Sequence, residues 1–192
     1  ISIDILGRII EVVSGLKLDD FLHDNIFKPL NMIDTDFYVP EDKHDRFVDC
    51  YQELVSKSGN KLKRCHKGGE DIFSKKRNFL SGGGGLCSTL ADYANFCQMI
   101  LNEGYFDGKQ LLSPITVRFM RENHLPNNQT MNEMGDDNFS EVRYDGAGFG
   151  LGFSSLIDPV KSMSSLSLGS ISWGGMASTF FWICLLYTSP SP

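Results

Sequence analysis

Between two runs of strand-forming residues the chain carries Trp173-Gly174-Gly175. Leu166, Leu168 and Ile171 alternate loosely with serines before it. Thr179, Phe180, Phe181, Trp182 and Ile183 follow as an apolar β-type run. A glycine pair inside such a pattern marks a tight bend, a bulge, or a place where backbone comes close to another group. Two readings stand open. One is a hairpin turn whose Trp fills the core. The other is a site where the bare N–H groups after the glycines face the oxyanion that develops when an acyl carbonyl is attacked.

Other residues of reactive type fit structural roles better. Ser58-Gly59-Asn60-Lys61 has the Ser-x-x-Lys spacing that activates a serine when Lys lies one helical turn away. Here the spacing contains Gly and Asn, sits in the most polar stretch, and reads as a chance match. Tyr93-Ala94-Asn95 imitates a Tyr-x-Asn element, but it falls mid-helix with Tyr93 on the apolar face. The glycine run Ser81-Gly82-Gly83-Gly84-Gly85 has no following Lys-Ser/Thr, so it is no P-loop and reads as a tight connection. His23, His44, His66 and His124 have no helical metal spacing, and no G-x-S-x-G elbow exists. Five cysteines without a CxxC indicate neither a disulfide framework nor a zinc site; Cys87 and Cys97 read as core thiols. No metal and no cofactor is expected.

The 192 residues fit one domain or most of one, with 41% apolar and 22% charged residues as in an ordinary globular domain. A net charge of −6 and a basic segment at residues 61–67 without interleaved aromatics argue against a nucleic-acid partner. No apolar run reaches the ~18 residues of a membrane helix. The chain starts at Ile1, inside a helical pattern, and is read as a truncated sequence.

The periodicity predicts a helix over residues 2–15, with Ile5, Leu6, Ile9, Ile10 and Val13 inward, Ser2 as its N-cap and Gly15 as its C-cap. A second helix covers 18–27 and ends at Pro29. Residues 40–78 form a long polar surface excursion. Thr89-x-x-Asp92 is a capping box opening a helix, with Leu90, Ala94, Cys97 and Leu101 on one stripe, closed by Gly104. Ser113-Pro114 caps another helix. Residues 125–144 read as a mobile loop. Residues 146–157 read as one strand with a glycine face that lets something pack close. Helices followed by strands make an α+β fold, an antiparallel sheet flanked by helices, and not βαβ.

Six blocks in order then resemble the serine β-lactamase and penicillin-binding-protein-like hydrolase family, in its class C and family VIII esterase branch. They are residues 5–15, 26–37, 83–99 and 111–117, Gly148-Phe149-Gly150-Leu151-Gly152-Phe153, and Trp173-Gly174-Gly175-Met176-Ala177-Ser178-Thr179. The last is similar to the Trp-Gly-Gly form of the family's third active-site motif. The resemblance covers residues 1–183, a partial domain incomplete at both ends. Residues 184–192 depart from the pattern and are read as a non-native tail outside the fold.

The resemblance implies acyl transfer to a serine, with a small-molecule ester or amide as substrate. Met176 N–H would be one oxyanion donor. Gly174 and Gly175 would keep the strand edge clear, and Trp173 would wall the acyl site. The family's Ser-x-x-Lys and Tyr would lie upstream of Ile1, so the chain alone is expected to be inactive, and its open edges are expected to make it aggregation-prone. Trp173 stands where the Lys-Thr-Gly form carries a cation that pairs with a substrate carboxylate. Neutral esters are therefore expected over carboxylated β-lactams. The alternatives are a β-lactamase or D-alanyl-D-alanine carboxypeptidase, and a non-catalytic binding or scaffold member.

Overall fold

The computed structural model describes residues 1–54, 59, 61–66, 73–135, 144–175 and 179–185, with the backbone alone at 65 and 66. The chain divides into two compact units, Ile1–Phe96 and Cys97–Pro192.

The first unit opens with α1 (Ser2–Ser14), which ends on Gly15 in the left-handed region at φ 72°, its N–H donating to Glu11 O at 2.9 Å. The C-cap is as expected; the N-cap is not. Ile1 takes that position without a side-chain bond, and Asp4 in the first turn is instead bonded outward. Helix α2 (Leu18–Leu22) continues as a π-helical turn, His23–Phe27. Gly7 lets the two approach: a Cβ there would lie 2.8 Å from Leu18 Cδ2. Leu18, Phe27, Leu30, Met32 and Phe37 are buried. The expected inward face of α1 is not covered, since Ile5, Leu6, Ile9 and Val13 are all exposed.

The glycine run is a tight connection against the start of α1. Ser81 Oγ donates to Asp4 Oδ1 at 2.6 Å and Gly83 N–H donates to the same oxygen at 3.2 Å. A Cβ on Gly82 would sit 2.8 Å from Ile3 O, and one on Gly85 2.5 Å from Ser81 O. The polar excursion contains a 3-10 turn, Glu41–Arg46, and an antiparallel hairpin of β1 (Cys50–Leu54) and β2 (Lys61–His66).

Helix α3 (Leu90–Leu101) carries the chain into the second unit. Thr89 Oγ1 accepts the Asp92 N–H at 3.2 Å, but Asp92 does not complete the expected capping box. Its carboxylate is taken by Asp34 N–H and the Thr35 hydroxyl. Leu90 of the expected inward stripe is exposed; Met99 and Ile100 are buried.

In the second unit, β3 (Tyr105–Phe106) and β4 (Lys109–Gln110) pair through Asp107-Gly108, both at positive φ (42° and 80°), as a primed hairpin turn requires. Helix α4 (Pro114–Arg121) starts as expected, with Ser113 Oγ accepting Thr116 N–H at 3.1 Å. The expected loop at 125–144 contains, where it is described, a 3-10 turn Pro126–Asn128 and a one-turn helix α5 (Met131–Met134) with a complete Thr130/Glu133 capping box.

The expected single strand at 146–157 is two. Strands β5 (Ala147–Phe149) and β6 (Ser154–Leu156) form a hairpin, because Gly152 at φ 102° reverses the chain. Leu166 and Leu168 precede the next strand and do not belong to it. With β7 (Ile171–Gly174) and β8 (Phe180–Ile183) the result is an antiparallel sheet in the order β5-β6-β7-β8. Among the described residues the buried apolar side chains of the second unit are Met99 and Ile100 of α3, Val117 of α4, Phe153 in the turn, and Leu156, Ile171 and Ile183 of the sheet.

Candidate active site

Trp173 and Gly174 are the last two residues of β7. Their partners on β8 are Phe181 and Phe180. Gly175 follows, and its N–H donates to Thr179 O at 2.7 Å. The hairpin reading of the glycine pair thus accounts for Gly175 N–H. Met176 lies outside the described residues, as does Ser58 of the Ser-x-x-Lys match.

Neither glycine is held by a left-handed backbone, since neither is among the positive-φ residues. A Cβ on Gly174 would meet only Thr179 O at 3.5 Å, an ordinary contact. One on Gly175 would approach Thr179 Oγ1 at 2.5 Å, the end of a side chain that can rotate. Folding alone therefore does not demand glycine at 174, and both residues are exposed.

Trp173 is half-buried and does not face solvent alone. Tyr144 stacks on the indole with centroids 5.9 Å apart and planes 19° apart. Phe149 meets it edge-on at 5.2 Å and 68°. Asn side chains hold both partners by the main chain. Asn132 Oδ1 accepts Tyr144 N–H at 3.2 Å, and Asn132 Nδ2 donates to Asp145 at 2.6 Å. Asn123 Oδ1 accepts Phe149 N–H at 3.0 Å, and His124 N–H donates to Phe149 O at 2.8 Å. Gly148 in β5 and Gly150 just after it are what admit this close packing: a Cβ on Gly148 would collide with the Asn123 side chain and one on Gly150 with Met120 O.

Tyr144, Phe149, Asn123 and Asn132 were not among the candidate residues read from the sequence. Phe149 lies in a quoted block, but its contact is non-local. Asn132 sits inside the Thr130/Glu133 capping box, a signal the sequence does carry.

The decoys have structural partners. Tyr93 packs on Phe96 at 5.7 Å, and Asn95 Nδ2 donates to Leu30 O at 3.0 Å. Lys61 opens a strand, not a helical turn. His23 is exposed with Nδ1 3.1 Å from Asp24 Oδ1, and His124 Nε2 lies 2.7 Å from Phe119 O. Cys87 and Cys97 are half-buried and not full core residues; burial pushes the Cys97 thiol up. Among the described residues no His/Cys/Asp/Glu group could hold a metal ion, and no helix is long and apolar enough to cross a membrane.

Electrostatic perturbation lies outside the ring cluster. Burial lowers the Arg121 guanidinium, whose Nε is buried without a hydrogen-bond partner among the described residues. Hydrogen bonds from Thr130 hold the Glu133 carboxyl below its ordinary range. Two open depressions, of about 540 and 560 Å³, are lined by Arg118, Arg121 and Ser155, and by Gln129, Glu133 and Lys161. Trp173, Gly174 and Gly175 line neither.

The Beta-lactamase family model matches residues 1–185. An uncharacterized protein of Mycobacterium tuberculosis is 32% identical over 183 residues, covering 94% of this chain and 43% of the relative. Lovastatin esterase of Penicillium rubens is 32% identical over 127 residues, 65% of this chain and 30% of the esterase. Among solved structures, EstCE1, a hydrolase with promiscuous acyltransferase activity, matches with TM-score 0.72 and 21% identity, over 95% of this chain and 46% of its own. Simvastatin synthase of Aspergillus terreus matches with TM-score 0.73 and 22% identity, over 95% and 45%. These likenesses show the fold: mixed helix and antiparallel sheet of the β-lactamase/transpeptidase type. The chain spans less than half the length of these proteins.

Proposed function

This chain belongs to the Beta-lactamase family, and from that premise we propose that the intact protein is a serine hydrolase that cleaves carboxylic esters through an acyl-enzyme. The observation that carries the choice of ester is Trp173. At the position where the Lys-Thr-Gly form of the motif offers a cation, this chain offers an indole already engaged with two other rings. Such a surface gives nothing to a substrate carboxylate and much to an apolar acyl group. The names of the relatives, an esterase and a hydrolase with acyltransferase activity, support the same choice.

In this reading the nucleophile, with its Lys and Tyr, is supplied by residues outside this sequence. The serine oxygen adds to the ester carbonyl, and its proton passes through the Lys/Tyr pair to the leaving alkoxide. The C–O bond breaks, and alcohol and acyl-enzyme result. Water then adds to the acyl carbon, the serine regains its proton, and the carboxylic acid leaves. Met176 N–H donates to the oxyanion in both steps. Gly174 and Gly175 present bare backbone there, and Trp173 walls the acyl side.

The test compares the natural full-length protein with this 192-residue chain on p-nitrophenyl butyrate and on a chromogenic cephalosporin. The expected result is ester turnover by the full-length protein that exceeds its cephalosporin turnover, and none by the chain alone, since loss of a nucleophile removes several orders of magnitude in rate. Faster cephalosporin cleavage would establish the β-lactamase or carboxypeptidase alternative. A full-length sequence without Ser-x-x-Lys, and without turnover, would leave a binding or scaffold protein.

A further inference from the structure

We infer that Tyr144 and Phe149 are specificity-determining residues, which with Trp173 form one aromatic wall that selects esters whose acyl group carries a flat, apolar ring, such as phenylacetyl, over acetyl. The inference rests on the acyl-transfer reading of the site and adds to it the acyl class and two residues.

Three observations carry it. First, the rings form a set: Tyr144 covers the indole face-on at 5.9 Å and 19°, and Phe149 meets it edge-on at 5.2 Å and 68°. Aromatic pairs in these two arrangements are attractive beyond the area they bury. Second, the set is preorganised from outside. Tyr144 is tied to Asn132 and Phe149 to Asn123 through their main-chain N–H groups, and Trp173 is fixed by its strand register with Phe181. A wall whose parts are already ordered spends little of a ligand's binding energy on ordering them. Third, Tyr144, Phe149 and Trp173 are all only half-buried, so each keeps surface that a core residue would have lost. The exposed Gly174 directly after Trp173 leaves the adjoining strand end without a side chain. A flat ring on the acyl group next to that bare backbone extends the stack; an acetyl group is too small to reach it.

The test uses the natural full-length protein. Its kcat/KM is measured on p-nitrophenyl phenylacetate and p-nitrophenyl acetate for wild type, Tyr144→Ala, Tyr144→Phe and Phe149→Leu. In wild type the phenylacetyl ester is preferred. Tyr144→Ala lowers the phenylacetyl-to-acetyl ratio about three- to ten-fold, mainly through KM. Tyr144→Phe keeps the ratio, and Phe149→Leu lowers it, which retains the test if Tyr144→Ala does not fold. A ratio unmoved by both Tyr144→Ala and Phe149→Leu overturns the inference, because a structural role lowers both substrates alike. If the protein hydrolyses no ester, the hydrolase reading fails by itself, and calorimetric titration with phenylacetamide decides the wall separately. Binding weakened several-fold by Tyr144→Ala or Phe149→Leu supports it; absence of binding by wild type overturns it.

Discussion

The Thr35 hydroxyl donates to Asp92 Oδ2 at 2.8 Å, although the two residues are 57 positions apart. The Asp34 N–H reaches the same oxygen at 2.7 Å, and Asp92 N–H is itself capped by Thr89. One buried carboxylate thus ties the first turn of α3 to residues 34 and 35.

Asp92→Ala leaves the Asp34 N–H without this acceptor, while the Thr35 hydroxyl can turn to Ser88 Oγ at 2.8 Å. A buried donor left unpaired costs roughly 1–3 kcal/mol, so the variant should lose about that much per donor that water cannot reach. Asp92→Asn keeps one acceptor oxygen and should lose less. Urea unfolding separates the two: the midpoint falls in the order wild type, Asn, Ala, with an unchanged slope. Equal midpoints for wild type and Ala would show that the tie contributes nothing.

The Asp34 carboxylate is held by Arg46 and Lys43, at 2.7 and 2.6 Å, and these bonds lower its pKa to about 2. A carboxylate whose pKa falls on folding stabilises the fold above its ordinary value of 3.8. That contribution is lost as the pH drops from about 4 towards 2. Arg46 is half exposed, so screening limits the effect to about 1 kcal/mol. Asp34→Asn should melt below wild type at pH 6 and alongside it at pH 2. A constant difference between the two across that range would refute the assignment.

Two left-handed glycines should respond unequally to the same change. Gly15 at φ 72° has nothing within 4 Å of a Cβ position, so Gly15→Ala bears only the conformational cost, about 1–2 kcal/mol. Gly104 at φ 90° would drive its Cβ into Leu112 O, and the backbone would have to move. Gly104→Ala should lower the melting temperature clearly more than Gly15→Ala.

The elements most readable from the sequence were those fixed by local rules. Gly15 stops α1, Ser113-Pro114 starts α4, and the apolar run after the glycine pair is β8, while of the run before it only Ile171 enters β7. Errors arose where a distant partner decided the outcome. Asp92 has the spacing of a capping box, yet its Oδ2 accepts from Thr35 and Asp34 instead. The run at 146–157 alternates as one strand does, but Gly152 breaks it by adopting a positive φ that no spacing rule reveals. Tyr144 lies outside any helix or strand, as the loop reading has it, but its stacking partner lies 29 positions away and no local rule reveals that contact. The apolar stripe of α1 was legible as a stripe, but its inward placement does not hold for Ile5, Ile9 and Val13, which are exposed in this chain. The motif names Trp173 and the glycines as candidates, whereas the rings that pack on the Trp carry no such local signal.

Alternation along β8 gives the last prediction. Phe180 and Trp182 are exposed and stack at 5.5 Å with planes 9° apart, whereas Ile183 is buried. Among the described residues β8 has β7 on one side and no strand on the other. A sheet edge that exposes large apolar side chains is a template for association with another chain. Phe180→Lys with Trp182→Thr should therefore reduce aggregation of this 192-residue chain, read by light scattering at fixed concentration, while stability changes by roughly 0.5 kcal/mol per site or less. Ile171→Ala is the opposite control. Ile171 pairs with Ile183 across the same two strands and is fully buried, so truncation should cost roughly 2–5 kcal/mol and raise aggregation through unfolding. If the edge variant scatters as much as wild type, association runs through another surface, and the uncovered face of α1 becomes the one to mutate next.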